Sequence, residues 1–117
     1  MARLLDIEAT QKFLSEFVSE NDITLAFICN SDGGVICSSD VTQGRMVIEA
    51  LSTVWQTLLP PAWNRLFFEW ESAYVVLVNC GNWVFGIQQN DQNPSTIGML
   101  HLKAKICSEH IKKQLEP

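Results

Sequence analysis

Three segments of this chain are apolar at nearly every position: ITLAFICN from Ile23, YVVLVNC from Tyr74 and WVFGIQQ from Trp83. A strand with one wet face alternates apolar and polar residues. A strand without that alternation has to be covered on both faces. These segments are therefore expected to form interior strands with a filled core around them, Trp83 and Phe85 included. Gly81-Asn82 between the last two is a two-residue signal for a tight hairpin.

The intervening segments read as helices and shorter strands. From Leu4 to about Val18, the apolar residues Phe13, Leu14, Phe17 and Val18 share one helical face, with Glu8, Lys12, Glu16 and Glu20 on the other. Asn21-Asp22 ends that helix. VICSS after Gly34 is a short strand. A second helix is expected from about Thr42 to Leu59, with Val47, Leu51, Val54, Trp55 and Leu58 at spacings of three and four, stopped by Pro60-Pro61. RLFFEWES alternates, with Leu66, Phe68 and Trp70 on one side and Arg65, Phe67 and Glu69 on the other, which suits a strand near an edge. Asn93 and Pro94 are placed to cap and open a last helix carrying the stripe Ile97, Leu100, Ala104, Cys107 and Ile111. The order is α-β-β-α-β-β-β-α, an α+β fold in one domain over residues 1–117.

The sequence SDGG, from Ser31 to Gly34, raises the question of a phosphate loop. Such a loop opens onto a helix, whose N–H groups face the anion, and a triphosphate site adds Lys and Ser or Thr after the last glycine. Here Gly34 is followed by Val35, Ile36 and Cys37, a strand, and no lysine is near. A hairpin turn is the better reading.

Other chemistry is equally sparse. The 117 residues carry a net charge of −5 and no Lys/Arg cluster, which argues against nucleic acid and anionic membrane surfaces as partners. No apolar run is long enough to span a bilayer, and MARLLDIEAT is too short and too charged for a signal peptide. A cytoplasmic protein is expected. Cys29, Cys37, Cys80 and Cys107 lack the spacing of a zinc site and read as buried free thiols. His101 and His110 lie nine apart on the last helix and read as solvated. Ser38, Ser39 and Asp40 have no nucleophile elbow around them and read as the cap of the second helix. Glu69 and Glu71 read as a solvated strand edge. No catalytic residue, metal or cofactor is expected.

What stands out is aromatic. Three of the four tryptophans, Trp55, Trp63 and Trp70, gather around the end of the second helix and the strand after it. That helix carries only Arg45 and Glu49 as charges within Thr42–Leu59. Aromatic residues are enriched and most charges depleted where surfaces are covered by a partner. An edge strand with Phe67, Phe68 and Trp70 is an aggregation hazard unless paired, and pairing with its own copy is the simplest remedy.

With this order of elements, the SDGG hairpin, and NPSTIGMLHLKAKICSEHI with Gly98 close before Leu100 and basic residues soon after, nearly the whole chain resembles the Roadblock family (dynein light chain roadblock and gliding proteins), relatives of the longin fold. The resemblance implies a five-stranded antiparallel sheet with helix 2 on one face and helices 1 and 3 on the other. It implies a homodimer in which third strands pair and second helices pack side by side. Carried onto this chain, that interface would use Met46, Val47, Ala50, Leu51, Val54, Trp55, Arg65, Phe67, Phe68, Glu69 and Trp70. The family's work is to bind small Ras-like GTPases as non-enzymatic regulators or scaffolds, in some members raising GTP hydrolysis. Arg45, Glu49 and Gln56 at the rim of helix 2 are the candidates for that contact. The other readings are a PAS- or GAF-like sensor of a small ligand and a structural subunit of a heterodimeric complex.

Overall fold

The computed structural model describes residues 7–30, 34–57, 64–70, 73–81, 83–90 and 96–114. The elements run α1 (Ile7–Asn21), β1 (Leu25–Asn30), β2 (Val35–Ser38), α2 (Val41–Thr57), β3 (Arg65–Trp70), β4 (Ala73–Asn79), β5 (Trp83–Gln89) and α3 (Ile97–Gln114). This is the α-β-β-α-β-β-β-α order expected. The expected starts and stops at Leu4, Leu59, Pro60-Pro61, Asn93 and Pro94, and the turn residues Ser31–Gly33 and Asn82, lie outside the described residues.

The strands form one antiparallel sheet in the order β2-β1-β5-β4-β3. β1, β5 and β4 are the interior strands. Alternation along each of them feeds two apolar layers. Ala26, Ile28, Tyr74, Val76, Trp83, Phe85 and Ile87 face α1 and α3, where they meet Leu14, Phe17, Leu100, Ala104, Cys107 and Ile111. Leu25, Phe27, Cys29, Val75, Leu77 and Val84 face α2, where they meet Val47, Ile48 and Leu51. The unbroken apolar runs are thus two interleaved period-2 faces, both buried.

Helix ends are set locally. α1 ends with Asp22 at φ 54°, and Ile23 N donates to Val18 O at 3.2 Å, closing a Schellman-type cap with an Asp in the left-handed position. The cap delivers Ile23 into the core layer beside Val18. Asp40 caps α2, its Oδ1 accepting from Gln43 N at 3.1 Å. Gly34 O accepts from Asn30 N at 2.8 Å and leads into β2, so this glycine joins strands. α1 and α3 lie antiparallel on one face: the Phe13 ring stacks on His110 at 4.5 Å, and Lys103 Nζ donates to Asn21 O at 2.7 Å near the other end.

Gly86 of β5 sits opposite Phe27 of β1 on the α2 side. A Cβ there would lie 2.2 Å from Phe27 Cζ, so the fully buried ring occupies the space of the missing side chain. Gly86→Ala should lower the unfolding free energy by about 1–3 kcal/mol in urea denaturation. Adding Phe27→Leu should make the double variant less destabilised than the sum of the two singles. Strict additivity would show that the two sites are not coupled.

Candidate protein-protein interface

The two edges of the sheet differ. At β2, the α1 side chain Gln11 acts as a short extra strand: its Nε2 donates to Ser38 O, and Ser38 N donates to its Oε1 at 3.1 Å. The outward backbone groups of Ser38 are thereby used, and this edge is blunted.

β3 forms the opposite edge. Asn79 N donates to Asn64 O at 2.8 Å, and β3 pairs with β4 from Arg65↔Val78 to Trp70↔Ala73. In an antiparallel ladder, hydrogen-bonded and non-hydrogen-bonded pairs alternate. The backbone N–H and C=O groups of Arg65, Phe67 and Glu69 therefore point away from β4, along the outer side of the sheet. The side chains of Arg65 and Glu69 are exposed, and Phe67 is 36% exposed. Leu66 and Phe68 turn to the other face and pack, half-buried, on the α2 layer.

α2 separates into an inner and an outer row. Val47 and Leu51, expected at the interface, are 7% and 3% exposed and belong to the chain's own core. Phe68 packs half-buried on the same layer. Helical and strand periods define a face, and the packed sheet says which residues of that face turn inward. Arg45, Met46, Glu49 and Ala50 are exposed, with Met46 at 58%. They form an outward patch in which Met46 is the apolar member. The side chains of Val54, Trp55, Gln56 and Trp70, and all of Trp63 and Glu71, lie outside what is described.

On the other face, Phe67 links β3 to the helices. Its ring is 5.4 Å from Tyr74 and 5.5 Å from His101. The sequence places His101 on the polar side of α3, where a solvated ring is expected. It is instead half-covered against the edge strand, and its pKa is pulled below 6.5 by burial and then by the Arg65 guanidinium. Beside it, an open groove of about 220 Å³ runs between α3 and the start of β3, lined among others by Arg65, Val78, Lys105, Ser108, Glu109 and Lys112.

All four cysteines are buried free thiols, as expected. Burial pushes the Cys37 thiol up, and burial with Cys80 nearby pushes the Cys107 thiol up, which favours the protonated form of both. Among the described residues, no three His, Cys, Asp or Glu side chains converge, and no helix is long and apolar enough to cross a membrane. Sequence reasoning missed the Gln11 clamp and the His101 contact, which join residues 27 and 34 positions apart.

No family model matches the chain, and no curated protein matches it in sequence. Solved structures do. Myxococcus xanthus MglB superposes with a TM-score of 0.69 at 10% identity, covering 97% of this chain and 92% of that one. A Roadblock/LC7 domain from Streptomyces avermitilis gives 0.67 at 9% identity, covering 88% and 94%. Acanthamoeba castellanii profilin IA gives 0.59 at 15% identity, covering 89% and 97%. The chain has the Roadblock/LC7-type, longin-like fold, in agreement with its sequence resemblance.

The depressed His101 pKa has a stability consequence. The unfolded chain takes up this proton at higher pH than the folded chain, so folding is favoured above 6.5 and loses that contribution as the pH falls through and below 6.5. Thermal melts between about pH 8 and pH 5.5 should show a larger loss in the parent than in His101→Gln. Parallel profiles would mean that His101 titrates as it does in the unfolded chain.

Proposed function

We propose that the chain forms a homodimer through β3 and α2 and acts as a non-enzymatic regulator or scaffold for a small Ras-like GTPase. The observation that carries the dimer is the self-complementarity of the β3 edge. Two copies of RLFFEW set antiparallel about Phe67 bring Arg65 of one opposite Glu69 of the other, twice. That register also pairs the outward N–H and C=O groups of Arg65, Phe67 and Glu69. A two-fold axis at Phe67 would make one ten-stranded sheet and bring the two α2 outer rows, with Met46 and Ala50, to the same side. Val54, Trp55 and Trp70 remain candidates for the same contact.

The family resemblance supplies the partner class. Arg45 and Glu49, exposed one turn apart on α2, offer charges to a GTPase at the rim of this dimer, with Gln56 about two turns further on. A small-ligand sensor is less well supported: Trp83 and Phe85 fill the core, and the open groove is below the usual 300–1,000 Å³ of ligand pockets, at about 220 Å³.

Native mass spectrometry of the purified chain should show a ligand-free dimer. Arg65→Glu or Glu69→Arg alone should weaken it roughly tenfold, and the two together should restore it. A monomer in the parent, or no rescue in the double variant, would reject this register. The dimer should also bind the GTP-loaded form of its GTPase about tenfold or more tightly than the GDP-loaded form. Equal affinities would reject a state-sensing role, since a regulator shifts an equilibrium only by its differential affinity.

A further inference from the structure

α3 carries two apolar rows. The inner row is buried against the sheet at Leu100, Ala104, Cys107 and Ile111. The second lies on the opposite side of the helix: Met99 is 53% exposed, Leu102 48% and Ile106 56%. Spacings of three and four place these residues in one line over two turns. They are three of the seven large apolar side chains exposed among the described residues, and no other element holds more than two. An ordinary surface helix is polar on this side.

The charge around the row is also unusual for this chain. α3 holds Lys103, Lys105, Lys112 and Lys113 against Glu109, in a protein of net charge −5. Lys103 is engaged with Asn21 O. Lys105, Lys112 and Lys113 are exposed. Lys105 and Lys112, seven residues apart, line the groove on the β3 side of the apolar row, where Arg65 adds a third cation.

We propose that this outer face of α3 is a docking surface for an acidic amphipathic helix of another protein. The helix would lay its apolar side on Met99, Leu102 and Ile106 and its flanking carboxylates against Lys105 and Lys112. Charge complementarity selects this occupant. A second copy's α3 would set lysines against lysines. A second copy's α1 has the carboxylates Glu8, Glu16 and Glu20, but Ile7 is its one exposed large apolar residue. The surface is separate from the GTPase contact proposed on α2, which packs on the other face of the sheet, and of the three cations of the groove Arg65 alone is shared with the proposed dimer edge.

The test uses the full chain and a fluorescein-labelled peptide of about eighteen residues, built with a helical row of leucines flanked by glutamates, and a sister peptide with lysine for each glutamate. Fluorescence anisotropy should show the acidic peptide binding at least about tenfold more tightly than the basic one. Leu102→Asp with Ile106→Asp should weaken the acidic peptide about tenfold or more. Lys105→Glu with Lys112→Glu should reverse the preference, a gain of binding that misfolding cannot produce. The proposal is overturned by no binding at about 1 mM peptide, or by equal binding of both peptides. It is also overturned by insensitivity to the substitutions, by capture on phosphatidylglycerol vesicles without peptide binding, or by an assembly of this chain alone that Leu102→Asp dissolves.

Discussion

Burial of β1, β5 and β4 on both faces is the constraint on which the other features depend. Each interior strand sends alternate side chains into two separate apolar layers. The helices must then cover both sides, α2 on one and α1 with α3 on the other. Where a facing pair is too large for the space, one member shrinks: Gly86 yields its side-chain volume to the Phe27 ring. The interior is therefore filled, and what remains for function is the outside of the helices and the edges of the sheet.

The edges show a division of labour that follows from the same physics. Unpaired backbone groups on a strand invite another strand. At β2 the invitation is withdrawn by Gln11, whose amide satisfies the outward groups of Ser38. At β3, Arg65, Phe67 and Glu69 direct theirs outward in a sequence that complements its own reverse. One guarded edge and one self-complementary edge favour a closed pair over an open-ended stack. The helices extend this picture: α2 beside the pairing edge carries Arg45, Met46 and Glu49 outward, and α3 on the far face carries an apolar row among lysines.

A fold shared with MglB, with Roadblock/LC7 domains and with profilin does not by itself select among uses. The proposed role rests on particular side chains at the β3 edge and on the outer row of α2.

Much of this was readable in the sequence. Unbroken apolar runs and the stripe from Leu100 to Ile111 mark the elements, because local spacing reports which residues share a face. The alternating RLFFEW marked an edge strand for the same reason. Spacing marks Val47 and Leu51 as one apolar stripe of α2, and only the packed sheet shows that they are buried beneath it. Spacing could not show that α3 has a second apolar row, since the stronger inner stripe masks the weaker outer one. Nor could it foresee Gln11 reaching Ser38, or His101 lying against Phe67, because side chains far apart in the chain meet only once the layers are assembled. The sequence by itself determined the elements and their order, through local periodicity. Only the tertiary structure decided which edge is closed and which faces stay exposed, because those depend on what packs against what.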